Sequence, residues 1–231
     1  MVEVYCKELN DNELLFERIF RKLLFTAFES KKLYIISPWL SIFNFKLKFV
    51  YYPYVSSTSV EDVLKAIIDS GVRIYMFTRC FDFLDLELIG IAYRGVVSKS
   101  MLSYIKGSLS DMIERAETLL RLANLKDLSI KFDLDNRLHS KVYVNDHMAI
   151  LGSANFTYSG LYRNIECIAV VGRDETIHQV LRKYAETLSG GFRGFPECEN
   201  YVLNSLKSIA GIRLGSLKEL LELLKELRAK L

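Results

Sequence analysis

The most informative parts of this sequence are His-Ser-Lys-Val-Tyr-Val-Asn-Asp at residues 139–146 and Gly-Ser-Ala-Asn at residues 152–155. Both are predicted to lie in strands, where side chains two residues apart point to the same face of a sheet. His139 and Lys141 therefore project together, and Ser153 and Asn155 project together from the next strand, after a short hairpin. One face of the sheet is expected to carry an imidazole, an ammonium, a hydroxyl and an amide.

Two further residues are predicted to belong to this face. Gly152 has no side chain, which leaves the backbone open to the close approach of a ligand. A strand predicted over residues 164–171 brings Glu166 alongside, where a carboxylate can bond the second nitrogen of the imidazole and fix its tautomer. No cluster of carboxylates that could hold magnesium is evident in the sequence, so we expect neither a metal nor another cofactor.

These side-chain types suit a phosphodiester substrate. Phosphoryl transfer depends on positioning and on stabilising the charge of the non-bridging oxygens. A lysine supplies a point charge, and serine and asparagine supply neutral hydrogen-bond donors. A histidine can attack phosphorus and form a covalent intermediate. The two segments therefore predict covalent phosphodiester chemistry.

The pattern resembles the signature of the phospholipase D superfamily, which reads His-x-Lys-x4-Asp followed by Gly-Ser-x-Asn. His139, Lys141 and Asp146 match its first part, residues 152–155 match its second, and Glu166 follows as in that family. The chain departs in one respect: five residues separate Asp146 from Gly152 where six are usual, so the hairpin is expected to be one residue tighter. By this resemblance Asp146 would be structural and would stabilise the turn.

The resemblance also implies the roles of the other motif residues. His139 would be the nucleophile of a two-step reaction through a phosphohistidine. Lys141, Ser153 and Asn155 would bind the phosphate, and Glu166 would orient the imidazole. A second histidine would protonate the leaving oxygen.

The number of histidines bears on assembly. The family builds its site from two such motifs across a pseudo-two-fold axis, whereas this chain has three histidines and one motif. Neither His147 nor His178 is followed by the residues of a second motif. The sequence therefore predicts an isologous homodimer in which two copies of His139 face each other.

The rest of the chain predicts an α/β fold, a phospholipase D-like α/β/α sandwich with a mixed central sheet. Residues 33–78 read as strand, helix and strand with apolar strands, as expected of a sheet that is covered on both faces. Residues 84–108 are left unassigned, and a helix is predicted to begin at Ser110. An earlier helix is predicted over residues 11–30, with Asn10 or Asp11 as its cap.

The predicted domain organisation is a catalytic domain over residues 1–200 and a helical appendage over residues 201–231. A capping box at Ser216 opens a helix with a stripe of leucines. That stripe is expected to pack either on the domain itself or on the dimer partner.

Basic and aromatic residues outside the motif are candidates for substrate binding. Residues 88–110 contain Arg94, Lys99 and Lys106 and no acidic residue. A basic loop of this kind could follow a phosphate backbone, or it could be a solvated surface insertion. Trp39, after the first buried strand, could stack on a base or belong to the core.

Composition bounds the remaining properties. The chain has 231 residues, and half of them are hydrophobic, which excludes a disordered chain. Its net charge of +3 is too balanced to identify a nucleic-acid binder. No apolar run is long enough to span a membrane, and a cytoplasmic location is predicted. The scarcity of amide side chains hints at a thermophilic source.

The four cysteines are Cys6, Cys80, Cys167 and Cys198. They lack the spacing of a metal site and are expected to be reduced, and Cys167 is expected to lie in the core.

The function predicted from these features is a metal-independent endonuclease, active as a homodimer on DNA in preference to RNA. Short single-motif members without a membrane anchor are most similar to the dimeric endonucleases of the superfamily. One alternative is a hydrolase of phospholipids or small phosphodiesters. Another is a non-catalytic nucleic-acid-binding or scaffold protein with the same fold. The sequence does not identify a helicase or any other protein partner.

Overall fold

A computed structural model describes residues 1–7, 14–95 and 97–231, apart from the side chain of Ser189. The strands in these ranges are β1 (Val2–Lys7), β2 (Lys32–Ile36), β3 (Asn44–Tyr51), β4 (Val55–Ser59), β5 (Arg73–Arg79), β6 (Leu128–Asp133), β7 (Val142–Val144), β8 (Met148–Gly152) and β9 (Glu166–Gly172). The main sheet has the strand order β1-β9-β8-β7-β2-β5-β6, and β3 and β4 form a separate hairpin.

The α-helices of the described ranges are α1 (Leu15–Ala27), α2 (Val60–Asp69), α3 (Phe83–Tyr93), α4 (Leu102–Ala123), α5 (Tyr158–Tyr162), α6 (Thr176–Thr187), α7 (Phe195–Ala210) and α8 (Leu217–Lys230). A 3-10 helix at Leu188–Gly190 follows α6. Of the helices that the structure describes, none has the length and apolar character needed to cross a bilayer. The predicted caps of α1, Asn10 and Asp11, lie outside the described residues.

Both faces of the main sheet are covered. Along β2, Leu33 and Ile35 pack into the core that contains α1, α2 and α4, whereas Tyr34 and Ile36 pack into the core that contains Ala185 of α6. This alternation is what a strand buried on both faces requires, because successive side chains point to opposite sides. The predicted α/β/α sandwich with a mixed central sheet is confirmed.

Strand direction brings several strand ends to one edge of the main sheet. Strands β2, β5 and β6 run parallel, so their carboxyl ends lie together. Strand β7 is antiparallel to β2, β8 to β7, and β9 to β8. The first residues of β7 and β9 and the last residue of β8 therefore lie at the same edge, which is called the site edge below.

The segment left unassigned by the sequence is largely helical. Asp82 caps α3 through a reciprocal pair of hydrogen bonds with Asp85. The prediction that the next helix begins at Ser110 is wrong, because α4 already begins at Leu102. Ser110 does not cap a helix: its hydroxyl donates to the carbonyl of Lys106 one turn earlier within α4.

The C-terminal helices pack on the same chain. Helix α7 packs against α3, and α8 packs against α4. The stripe of leucines predicted for α8 is buried: Leu217, Leu220, Leu221, Leu224 and Leu227. The predicted division at residue 200 falls within α7.

The expectation of reduced cysteines is wrong, because the structure contains the disulfides Cys6–Cys167 and Cys80–Cys198. Cys6 of β1 is the register partner of Cys167 of β9, and these two cysteines are 161 residues apart in sequence. Cys167 is exposed and not in the core. Disulfides occur in oxidising compartments and also inside the cells of hyperthermophiles. They are compatible with either location, so the cytoplasmic location stays a prediction.

Candidate active site

His139 lies on the connection from β6 to β7. Because β5 and β2 separate these strands in the sheet, the connection crosses the carboxyl ends of both at the site edge. Strand β7 is shorter than predicted and begins only at Val142. Lys141 still continues the ladder, since its carbonyl accepts a 3.2 Å hydrogen bond from Gly152. His139 is exposed, and its backbone carbonyl accepts a 2.8 Å hydrogen bond from the ammonium of Lys141.

Gly152 and Ser153 lie at the end of β8, where the chain meets β9. A Cβ atom on Gly152 would lie 2.2 Å from the carbonyl oxygen of Cys167, so the approach of the neighbouring strand requires glycine here. Ser153 remains exposed, and its hydroxyl oxygen accepts a 3.0 Å hydrogen bond from the backbone of Cys167. The serine hydroxyl is thereby held at the site edge.

Asn155 is fixed by the end of β2. Its Oδ1 lies 3.3 Å from the hydroxyl of Ser37, the residue that directly follows β2. Ser37 is buried and also accepts a 3.0 Å hydrogen bond from the backbone of Phe156. The buried hydroxyl of Ser37 therefore links Asn155 and Phe156 to the end of β2.

Glu166 begins β9 and is buried. Its Oε1 accepts a 3.2 Å hydrogen bond from the amide of Asn164. Burial lowers the pKa of Lys141, the carboxylate of Glu166 opposes this shift, and the guanidinium of Arg79 adds to it. Within the described ranges no hydrogen bond joins Glu166 to His139, so the orienting role of Glu166 stays a prediction.

Arg79 is the site residue that the sequence analysis did not identify. It ends β5, beneath the connection that carries His139. Its Nη2 lies 2.6 Å from Nε2 of His139, and its Nε donates to the carbonyl of Leu138 over 2.7 Å. A guanidinium can only donate, so Nε2 is the acceptor nitrogen in this arrangement. The signal was available, since a basic residue directly follows the apolar strand predicted over residues 72–78.

A second arginine, Arg115, holds the backbone at Arg79 in place. Arg115 of α4 is buried and donates to the backbone carbonyls of Arg79, over 2.9 Å, and Cys80. It also forms a 3.3 Å ion pair with Asp85. Burial lowers the pKa of Arg115 to about 10, which leaves it a cation at neutral pH. The end of β5 is therefore held in place by a buried charged network.

Asp146 lies at the opposite edge of the sheet, in the turn between β7 and β8. Its Oδ2 accepts a 2.7 Å hydrogen bond from the backbone of Lys31, and its Oδ1 forms a 2.6 Å ion pair with Arg182. These contacts tie the hairpin to β2 and α6. The structural role that the family resemblance implies for Asp146 stays a prediction.

The two other histidines also lie away from the site edge. His147 is in the same turn as Asp146, and its Nε2 is 3.3 Å from the carbonyl of Glu29. His178 of α6 is buried, with its Nε2 2.9 Å from the carbonyl of Asn145 at that end of β7. Neither one brings a second imidazole to His139 within one chain.

The candidate substrate-binding residues divide into two groups. Trp39 lies at the site edge after β2, 38% exposed, with the Arg115 guanidinium 4.4 Å from its ring centroid. Lys106 precedes Arg115 by nine residues of α4, about 13 Å along the helix axis. Arg94 lies at the far end of α3, where it donates to the carbonyl of Ile209, and Lys99 is exposed between α3 and α4. Most of residues 88–110 therefore belong to the end of α3 and the start of α4, and their role in substrate binding stays a prediction.

Comparisons with known proteins identify the family of the chain. Residues 46–188, more than half of the chain, match the family model described as cardiolipin synthase, PLD-like domain. No curated protein matches the sequence.

Solved structures share the fold at low sequence identity. Phosphatidylserine synthase from Haemophilus influenzae Rd KW20 has a TM-score of 0.51 at 15% identity, and the similarity covers 100% of this chain and 48% of that chain. NucT from Helicobacter pylori has a TM-score of 0.49 at 11% identity and covers 84% of this chain and 99% of that chain. Nuc from Salmonella typhimurium, a phospholipase D family member, has a TM-score of 0.44 at 15% identity, over 84% of this chain and 97% of that chain. At these identities the similarity concerns the fold alone.

Proposed function

The chain belongs to the phospholipase D superfamily, and from that premise we propose that it is a metal-independent phosphodiesterase, an endonuclease that cleaves DNA in preference to RNA. One observation carries the proposal. An exposed imidazole, His139, lies at the same sheet edge as the ammonium of Lys141, the hydroxyl of Ser153 and the amide of Asn155. Such a set suits nucleophilic attack on phosphorus with simultaneous binding of the non-bridging oxygens.

In the first proposed step, Nε2 of His139 attacks phosphorus. The bond from phosphorus to the leaving oxygen breaks, its electron pair stays on that oxygen, and a second imidazole gives that oxygen a proton. In the second step that imidazole takes a proton from water, whose oxygen attacks phosphorus and displaces Nε2. Lys141 and Arg79 stabilise the charge of the non-bridging oxygens in both steps.

Arg79 has a further part in the proposed reaction. In the structure its N–H group is directed at the lone pair of Nε2 that must attack phosphorus. A guanidinium forms strong charge-assisted hydrogen bonds with phosphate oxygens. The arriving phosphate would therefore draw the Nη2 group away from His139 and expose the nucleophilic nitrogen.

The second imidazole is proposed to come from a second copy of the chain. His147 and His178 lie at the opposite edge of the sheet, whereas His139 is exposed at the site edge. In an isologous dimer, a residue near the two-fold axis faces its own copy. The proposed active unit is thus a homodimer in which one His139 is the nucleophile and the His139 of the second copy is the general acid.

A basic surface on α1 and β3 supports a polyanionic substrate. Arg18, Lys22 and Lys48 are exposed there, and the loop after β3 presents Tyr52, which is 91% exposed, and Tyr54, which is 51% exposed. Cations that neutralise phosphates and aromatic rings that stack on bases are the features that bind nucleic acids without sequence preference. This surface is a second candidate, beside residues 88–110, for binding a nucleic-acid backbone.

A phospholipid substrate is the second candidate. Two findings favour it: the description of the matching family includes cardiolipin synthase, and the fold is similar to that of a phosphatidylserine synthase. The chemistry at phosphorus would be the same, and only the groups that flank the phosphate would differ.

A substrate panel in EDTA tests the proposal. Single-stranded DNA, duplex DNA, RNA and phospholipid vesicles are incubated with the wild-type chain and with His139→Ala. The nuclease proposal expects cleavage of nucleic acid that persists in EDTA and is lost in the variant. Vesicle hydrolysis without DNA cleavage would favour the lipid candidate. Binding of nucleic acid without any cleavage would favour a scaffold, and cleavage that needs magnesium would contradict the mechanism.

A further inference from the structure

A cleft of about 280 Å³, the Trp39 cleft, opens beside the proposed phosphate-binding groups. Its walls include Trp39, which follows β2, and Thr157, which follows β8. Asn155 precedes Thr157 by two residues and lies 3.3 Å from Ser37, which precedes Trp39 by two residues. The cleft is small beside pockets for drug-sized ligands, which measure roughly 300–1,000 Å³. It suits a single planar ring system next to the phosphate.

The charges along the cleft exclude a second phosphate. Among its described lining residues are the carboxylates of Asp85, Asp111 and Glu114 and the guanidinium of Arg115. Arg115 is already bonded to Asp85 and to two backbone carbonyls. Asp111 and Glu114 are exposed on α4. The cleft is therefore negative, so it repels phosphate oxygens and accepts hydrogen bonds from N–H groups.

The aromatic wall favours a neutral ring over a cation. Trp39 is 38% exposed and lines the cleft, which makes its indole available for stacking. A lipid amine would also be attracted by carboxylates and by an indole face. However, the guanidinium of Arg115 already lies 4.4 Å from the centroid of this ring. The cation-binding position on this ring is therefore already occupied, whereas the exposed part of the indole can still stack on a neutral base.

We propose that the Trp39 cleft binds an unpaired nucleobase adjacent to the scissile phosphate, with a preference for bases that carry an exocyclic amino group. Cytosine, adenine and guanine present an exocyclic amino group with two N–H donors, whereas thymine presents a single ring N–H. A base that is paired in a duplex cannot present this edge to the cleft, so the substrate class is single-stranded nucleic acid. This inference rests on the proposed function, because it names the substrate of the same site.

The single tryptophan of the chain gives a direct test, since its emission reports on this cleft alone. The full chain is titrated in EDTA with dCMP, dTMP, deoxyribose 5-phosphate and phosphoethanolamine, and free N-acetyltryptophanamide corrects for absorption by the nucleotides. We expect saturable quenching by dCMP at a dissociation constant about tenfold or more below that of deoxyribose 5-phosphate. The affinity for dTMP should be lower than that for dCMP.

Variants separate recognition of the base from general loss of structure. Asp111→Asn should remove the preference for dCMP over dTMP. A carboxylate only accepts hydrogen bonds, whereas an amide also donates them and so no longer selects for N–H donors. Glu117→Gln, on the same helix but paired with Lys225 outside the cleft, should leave the preference unchanged. Calorimetry with Trp39→Leu should show loss of the contribution of the base, with retention in Trp39→Phe.

The outcomes distinguish this inference from the proposed function, because the titration needs no cleavage. Quenching by nucleotides in a chain that cleaves nothing would support the cleft and overturn the nuclease. Cleavage of DNA with no difference between dCMP and deoxyribose 5-phosphate would overturn the cleft alone. Tighter binding of phosphoethanolamine than of dCMP would also overturn it, in favour of a lipid headgroup.

Discussion

The Nη2 group of Arg79 lies 2.6 Å from Nε2 of His139, which makes a strand-end arginine a direct neighbour of the proposed nucleophile. The contact exists because the connection from β6 to β7 crosses the end of β5. Two carbonyls fix its geometry, since Arg79 donates to Leu138 and its own carbonyl accepts from Arg115. The arginine is therefore held in place before any phosphate arrives.

Replacing Arg79 tests its role. Arg79→Gln removes a charge-assisted hydrogen bond to phosphate, so we expect kcat/KM for DNA cleavage to fall roughly 10- to 100-fold. Arg79→Lys should recover part of this loss, because it keeps the charge without the fork of donors. Weaker binding of inorganic phosphate, measured by calorimetry, should accompany both changes.

Arg137→Gln is the matched control for Arg79. Arg137 is two residues from His139 on the same connection, but its side chain is 84% exposed and pairs with Asp135. The same loss of one guanidinium there should leave kcat/KM within about twofold, as expected for an exposed ion pair. Equal effects of the two variants would show that net charge matters and that the contact with His139 does not.

The pH dependence of phosphate binding should report on Lys141. Burial lowers its pKa, so the ammonium loses its proton at a lower pH than an ordinary lysine, and phosphate affinity should fall there on the alkaline side. The Glu166 carboxylate opposes the shift, so Glu166→Gln should move this fall to lower pH. Arg79→Gln should move it to higher pH. Calorimetric titrations of inorganic phosphate across the alkaline range measure these directions, and identical midpoints in all three proteins would contradict them.

Oligomeric state tests the proposed sharing of the site. Light scattering should give twice the chain mass of 26.7 kDa for the active species. Dilution below the dissociation constant of the dimer should reduce activity per chain, because each monomer lacks the second imidazole. A monomer with full activity would refute the proposed division of labour.

The disulfide Cys80–Cys198 links the end of β5, next to Arg79, to α7. Both cysteines are buried, and the linkage closes a long segment of chain. Cys198→Ser with Cys80→Ser should therefore lower the free energy of unfolding by about 2–5 kcal/mol. Chemical denaturation measures the change, and mass spectrometry without reductant verifies the pairing. Equal stability of the variant and the wild type would show that the linkage is dispensable.

The sequence was sufficient for the local parts of this structure and insufficient for those set by distant pairing. The spacing around His139 and Ser153 predicted two adjacent strands, since the hairpin joining them is short. Arg79 could be placed at a strand end, yet its contact with His139 depends on β6 lying beyond β5. The pairing of Cys6 with Cys167 likewise follows from the position of β1 beside β9, which no local pattern reveals.

Helix limits failed for a different physical reason. Helix α3 is apolar around most of its circumference, so its residues gave no one-sided stripe to detect. Ser110 is a residue type that favours helix starts, but here it bonds back to the carbonyl of Lys106 inside α4. Helix α3 packs against α7 and α4 against α8, so contacts that are distant in sequence contribute to the stability of both helices.

Trapping the covalent intermediate in EDTA tests the role of His139 as nucleophile. Wild-type chain is mixed with end-labelled single-stranded DNA, quenched in alkali, where phosphohistidine survives, and digested for mass spectrometry. We expect a DNA adduct on His139, formed without metal and absent from His139→Ala. Cleavage with no adduct, an adduct on another residue, or activity retained in His139→Ala would contradict the claim that His139 is the nucleophile.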